Sequence, residues 1–129
     1  MELMSRVEQT VVPEQKVAIF WLGQAGFLLK THNGHTIVID PYLSNYVERL
    51  FPEMGLGFKR LMPPPCAPEE VCADVLLISH EHGDHFDADS IAALMQNGKT
   101  QVYTCQAVAD QMRTLSIDPK RITVLGKGE

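Results

Sequence analysis

The sequence predicts an α/β (α+β) fold, a mixed sheet flanked by helices, and two patterns carry that prediction. Three apolar runs, at 16–21, 27–30 and 36–39, are separated by short glycine-bearing turns and read as a β-meander. From Asp74 onward, strand-like runs at 74–79, 101–105 and 121–125 alternate with stretches of helical spacing. That alternation implies parallel strands joined by right-handed crossovers. With 129 residues, 45 % hydrophobic and 21 % charged, the chain is long enough for one ordinary globular domain, residues 1–129, with a real core.

In chain order, Leu3, Met4 and Val7 recur at helical spacing ahead of Pro13, so residues 1–15 read as an N-terminal arm with a short helix. The strand at 16–21 turns at Gly23–Gly26 into a return strand at 27–30. Asn33-Gly34 signals the next hairpin, because both residues tolerate positive φ. The third strand, 36–39, ends at Asp40-Pro41. Trp21 and Phe27 read as core aromatics rather than a substrate platform. Residues 42–68 mix aromatics and aliphatics with glycine and close on Pro63-Pro64-Pro65. They support a turn of helix around Ser44–Leu50 and otherwise a covering loop. Two readings stand side by side there: a loop packed by its own aromatics, or a wall over a site in which Lys59 and Arg60 meet an anionic group. A helical turn at 69–71 precedes the strand at 74–79, which has almost no polar alternation and so reads as buried. Asp87–Ser90 offers N-cap residues for a helix over 91–96, and Asn97-Gly98 stops it. A strand at 101–105, a helix at 106–115 on the spacing of Val108, Met112 and Leu115, and a strand at 121–125 complete the chain.

Three of the five histidines fall in His80-Glu81-His82-Gly83-Asp84-His85, directly after the apolar run Val75–Ile78. His-x-His puts two rings on one side of an extended segment, and Asp-His follows where the chain must turn. Imidazole suits Zn, Mn or Fe, and a carboxylate adds a hard anionic ligand. At the end of a buried strand such groups are held rigidly with one side open. A chance His-rich tract that scavenges metal requires neither the spacing nor the placement. His80, His82, Asp84 and His85 are therefore the candidate metal ligands. His32 and His35 flank a hairpin tip and read as solvent-facing.

His-x-His-x-Asp-His after a strand resembles the signature of the metallo-β-lactamase superfamily. Upstream, Phe20–Lys30 with its Trp21-Leu22-Gly23-x-x-Gly26, and then Ile37–Pro41, resemble the opening hairpins of its lactonase branch, which includes L-ascorbate-6-phosphate lactonase. The resemblance runs collinearly from about Val17 to Leu125. It implies the N-terminal half of an αββα sandwich and two divalent ions, Mn²⁺ or Zn²⁺, with Mn²⁺ favoured by an oxygen-rich substrate. By the same resemblance His80 and His82 hold the first ion, and Asp84 with His85 the second. Asp84 is also the implied catalytic residue, orienting a hydroxide made available near neutral pH by the ions. Asp40 stands where the family places a carboxylate that holds a ligand imidazole by its free N–H. Read from the residues alone it is a turn residue before Pro41, and that alternative stays open. The implied substrate is a small anionic molecule, a sugar-acid lactone carrying phosphate.

After His85 there is no further histidine, while Asp110 falls in a helical stretch and Asp118 precedes Pro119. The family completes its metal sites with later His and Asp residues. The chain is thus expected to be the N-terminal half of a longer enzyme and inactive alone. Half a sandwich exposes an apolar face, to which Val17, Ile19, Leu28, Ile37 and Ile39 would contribute on alternating faces, so a homo-oligomer is expected. Two other readings remain: a superfamily hydrolase acting on phosphodiesters or thioesters, and a metal-binding module without catalysis.

A formal charge of −5 argues against nucleic acid as a partner, since phosphate neutralisation needs a basic surface. No stretch approaches a membrane span, and Met1–Arg6 lacks the apolar core of a signal peptide, which points to the cytoplasm. Cys66, Cys72 and Cys105 fit no zinc-knuckle spacing and read as reduced thiols, Cys105 as a small buried residue.

Overall fold

A computed structural model describes residues 2–128, so Met1 of the expected arm and Glu129 lie outside the described residues. The elements are α1 (Leu3–Gln9), β1 (Val17–Gly23), β2 (Gly26–Thr31), β3 (Thr36–Ile39), α2 (Tyr46–Leu50), β4 (Val75–Ile78), α3 (Ala88–Leu94), β5 (Gln101–Thr104), α4 (Gln106–Met112) and β6 (Ile122–Val124). Short 3-10 turns occupy Pro52–Phe58, Pro68–Glu70 and Pro119–Arg121, and others extend α3 to Asn97 and α4 to Leu115.

All six strands form one mixed sheet in the order β1-β2-β3-β4-β5-β6. The first three pair antiparallel, and β3 to β6 pair in parallel. The β2–β3 hairpin departs from the expected two-residue turn. Of its tip residues only Gly34 takes a positive φ, at 86°, and Thr31 N–H donates to His35 O across a longer loop. Such loops need left-handed backbone at a single position, where glycine carries no Cβ penalty.

Because side chains alternate along a strand, the sheet has two distinct faces. Leu22, Leu28, Val38, Leu76, Ile78 and Val102 point to one of them and are buried. They pack with Val7 of α1, Ile91 and Leu94 of α3, and Val108 and Met112 of α4. Each such side chain contributes roughly 1.5–3 kcal/mol relative to exposure. Lys30 fastens α1 by donating to the carbonyls of Val7 (2.7 Å) and Glu8 (2.9 Å) at its C-terminal end, where free carbonyls favour a cation.

The opposite face has no such cover. Register places Ile19 opposite Leu29, Trp21 opposite Phe27, and Phe27 opposite Ile39 on it. Trp21 is 56 % exposed and Ile19 66 %. The expectation of core aromatics at Trp21 and Phe27 is therefore corrected: both stand on the uncovered face, and the indole N–H is satisfied locally by Gln24 O at 3.0 Å. Leu28, in contrast, belongs wholly to the covered face. One mixed sheet with helices on a single side is the half-sandwich arrangement expected. No helix among the described residues is long and apolar enough to cross a membrane.

The thiols differ from one another. Cys72 is exposed, whereas Cys66 and Cys105 are half-buried, so Cys105 is less enclosed than expected because it caps α4 rather than ending β5. Burial, with Glu70's charge adding, pushes the Cys66 thiol up to about 11 and keeps it protonated.

Candidate metal centre

Parallel neighbours release their following loops at the same edge of a sheet, and this is how the site is assembled. β3 ends at Ile39 and β4 at Ile78, so Asp40 and Ser79 emerge side by side, and Asp40 N–H donates to Leu77 O at 3.0 Å. Asp40 adopts a left-handed φ of 42° immediately before Pro41 and is nearly buried. Aspartate tolerates that backbone better than most residues. The turn aims its carboxylate back across β4.

That carboxylate is fully engaged. Its Oδ1 accepts from Ser79 N–H (2.8 Å), and its Oδ2 accepts from Ser79 Oγ–H (2.6 Å) and from His85 Nδ1–H (2.8 Å). Asp40 thus makes the turn before Pro41 and also accepts from an imidazole of the motif. Ser79 extends the network. With its one hydroxyl hydrogen given to Asp40, Oγ is left as acceptor for His80 Nδ1–H at 2.9 Å. His80 and His85 in their neutral forms are thereby set as Nδ1–H tautomers, with the Nε2 lone pairs free. Ser79 was not singled out from sequence. Its only signal there is a hydroxyl residue closing an apolar run just before His80.

The remaining motif residues gather around these two. The His80 ring lies 4.0 Å from that of His85 and 4.7 Å, edge-on, from that of His82, centre to centre. Asp84 Oδ2 lies 3.7 Å from His85 Nε2. The His82 carbonyl ties the segment together, because His82 O accepts from His85 N–H (2.9 Å) and Phe86 N–H (2.7 Å). Gly83 explains itself by contact: a Cβ there would come within 3.1 Å of Val47 and 3.4 Å of the Tyr46 ring. His32 and His35 sit exposed at the hairpin tip, away from the cluster, with His35 Nδ1 3.6 Å from Asp74.

Three imidazoles and the Asp84 carboxylate make a donor set chemically suited to a divalent cation, and the free Nε2 atoms of His80 and His85 fit that use. Among the described residues, however, no three His, Cys, Asp or Glu side chains gather tightly enough to hold an ion by themselves. The residues present fit part of a coordination shell.

A cavity of about 360 Å³ opens beside the motif, with His82, Gly83 and Asp84 on one wall and Tyr42, Val47, Phe51, Phe58 and Lys59 on the other. Residues 42–68 thus form a wall of the site and also pack on themselves, with the Phe51 and Phe58 rings 5.4 Å apart. Arg60 is tied to the loop through Nε and Nη1, while Nη2 makes no hydrogen bond among the described residues and the side chain lines a second cavity. Its Nη1 donates to Tyr42 O (2.7 Å) and Ser44 O (3.4 Å), its Nε donates to Met62 O (3.2 Å), and its guanidinium stacks 4.9 Å from the Tyr42 ring centre. Burial holds the Tyr42 phenol above its usual range, so it stays protonated, and its oxygen accepts from Val47 N–H at 3.3 Å. Asp87, foreseen as an N-cap, also anchors this wall. It accepts from Ser90 N–H at the start of α3 and from Leu43 N–H (3.1 Å), Ser44 N–H (3.0 Å) and Ser44 Oγ–H (2.7 Å).

Residues 18–129 match the beta-lactamase superfamily domain. Among curated proteins, an uncharacterized protein of Mycobacterium tuberculosis is 31 % identical over 111 residues, covering 85 % of this chain and 29 % of that protein. A UPF0173 metal-dependent hydrolase of Polynucleobacter asymbioticus is 31 % identical over 112 residues, covering 83 % of this chain and 33 % of that one. Another, from a Polaromonas species, is 39 % identical over 82 residues, covering 63 % of this chain and 26 % of its own length. The chain spans a third or less of each of these relatives. With the family match running from β1 to the end of the chain, over the strand ends that bear the histidine cluster, the chain belongs to the beta-lactamase superfamily.

Proposed function

We propose that this chain is the metal-binding part of a metal-dependent hydrolase of lactonase type, which opens the ester bond of a small anionic lactone. The observation that carries the reading is the Asp40–Ser79 network, which presets two imidazoles beside Asp84 at the mouth of a cavity. Two relatives bearing the name metal-dependent hydrolase support the reaction class. Two divalent cations, Mn²⁺ or Zn²⁺, would supply an acidified water and polarise the scissile carbonyl.

The chain's own residues have separable tasks. His80 and His82 would face the first cation, and Asp84 and His85 the second. Asp40 fixes the ring of His85, and Ser79 fixes that of His80, so neither must reorganise on binding. Asp84, in the cavity wall, accepts the proton of the attacking water at a carboxylate oxygen and orients that water toward the substrate. Phe51 and Phe58 line the same cavity and offer apolar surface to the substrate beside the reacting bond. The shell is partial, so affinity for a cation should be modest.

Calorimetric titration with Mn²⁺ and Zn²⁺ tests this directly. His82→Ala should weaken binding at least tenfold, and His32→Ala should leave it unchanged. Equal losses would remove the site assignment. Turnover should be absent from the 129-residue chain and present in a longer protein that carries it. There it should act on lactones in preference to phosphodiesters and thioesters, and vanish with Asp84→Asn. Preference for a phosphodiester would replace the lactone reading.

A further inference from the structure

Residues 42–68 carry three cations, Arg49, Lys59 and Arg60. Two of them are engaged in holding the protein together. Arg49 pairs with Asp89 at 2.6 Å, and Arg60 is fixed on the carbonyls of Tyr42, Ser44 and Met62. Lys59 is different. Its backbone N–H donates to Leu56 O, but its ammonium makes no hydrogen bond or ion pair among the described residues. It also lies where two cavities meet. One is the cavity of about 360 Å³ that contains His82 and Asp84, where Lys59 is the cation in the lining, and the other, about 660 Å³, is bounded by Trp21, Arg60, Leu61, Met62 and Pro63. Lys59 and Gln24 line both.

The walls around this cation are largely apolar, with Gln24 the polar side chain that both cavities share. Val47, Phe51 and Phe58 bound the near cavity, and Trp21, Leu61 and Met62 the far one, with Leu61 96 % exposed. A sugar would leave the hydroxyls that meet these apolar side chains unpaired, at a cost for each that is not hydrogen-bonded. An acyl or aryl group would instead remove apolar surface from water on both sides. A cation without a partner of its own, flanked by largely apolar surface and set beside an Arg60 already bonded to backbone carbonyls, selects an anion attached to an apolar body, because neither half alone uses both features.

We propose that Lys59 is the specificity-determining residue of this site. The substrate is an ester whose non-reacting part is an apolar acyl or aryl group bearing one anionic substituent. This rests on the hydrolase reading and deepens it. The reacting ester faces His82 and Asp84, the apolar body lies against Phe51 and Phe58, and the anion meets the Lys59 ammonium at the junction of the cavities. The polyhydroxylated sugar acid that the family resemblance implied is thereby replaced by an amphipathic anion.

The test uses matched probes on the 129-residue chain, followed by NMR titration: 4-phenylbutyrate, its neutral amide, and glucose 6-phosphate. The phenylbutyrate should bind tightest of the three. Lys59→Gln should weaken it roughly fivefold, the scale of one charge contact at the rim of an apolar pocket, and Lys59→Arg should restore most of the loss. The amide should bind Lys59→Gln and the unchanged chain alike. Equal binding of acid and amide, or no loss in Lys59→Gln, overturns the role of Lys59, and tighter binding of glucose 6-phosphate overturns the apolar body. Metal titration of the same samples keeps the two readings apart. Lys59→Gln should titrate with Zn²⁺ as the unchanged chain does. A chain that binds no metal but still prefers phenylbutyrate through Lys59 would sink the hydrolase reading and leave the ligand site standing.

Discussion

Asp87 shows how much one side chain can do when it is buried with its partners. It is fully enclosed, caps α3 through Ser90, and accepts the backbone N–H groups of Leu43 and Ser44 from the loop after β3. An N-cap alone contributes about 1 kcal/mol. Leaving buried donors without an acceptor costs about 1–3 kcal/mol each. Leu43 N–H also donates to Ser90 Oγ, so Asp87→Ala should lower unfolding free energy by about 2–4 kcal/mol in urea titrations, from the lost cap and the unpaired Ser44 donors. Asp87→Asn should lose less, since its amide oxygen still accepts. A loss near 1 kcal/mol would mean that the loop finds other partners and that Asp87 is only a cap. From sequence, the cap was legible because capping is local, whereas the bonds to Leu43 and Ser44 join residues 43 or more positions apart. The same contrast separates His80, His82, Asp84 and His85, whose chemistry is written in adjacent positions, from Ser79, whose role depends on Asp40 arriving from a neighbouring strand.

Among the elements, the strands were legible within a residue or two, and α3 begins three residues before the expected 91–96, because periodicity of two and of about 3.6 reports locally on burial but marks helix starts less sharply. The face of each strand was not. Alternation marks two faces without saying which one the helices will cover, and so Trp21 and Phe27 were assigned to the wrong side. The wall at 42–68 was legible only as a loop, and the ties of Arg60 to Tyr42, Ser44 and Met62 had no local sign. Its contact with the motif loop gives a sharp test. Gly83→Ala would press a methyl group against Val47 and Tyr46, and overpacking of this kind costs about 1–3 kcal/mol. Since α2 is short and the motif loop stands at a strand end, the strain should be relieved by separating the two. Zn²⁺ affinity should then fall while the far-UV circular dichroism stays unchanged. Unaltered affinity would mean that α2 simply moves aside.

At the scale of the molecule, the uncovered face decides behaviour in solution. Val17, Ile19, Trp21 and Phe27 form an exposed apolar surface on adjoining strands, and surfaces of this sort drive association. The 129-residue chain should sediment as a dimer or larger at tens of micromolar. Ile19→Lys with Trp21→Lys should shift it toward monomer without unfolding it, since neither residue belongs to the core cluster. A stable monomer at high concentration would count against the half-sandwich reading. The order of the strands has a different consequence, one for synthesis on the ribosome. Strand neighbours in the sheet are also neighbours in the chain, from β1 to β6. The sheet can thus grow at one edge as the polypeptide emerges, with each new strand docking on the one before and none needing to insert between two others. Contacts that are local in sequence form early and limit the time spent as an open chain. The growing edge also stays short, with four residues in β5 and three in β6, which leaves little template for a neighbouring nascent chain to pair with.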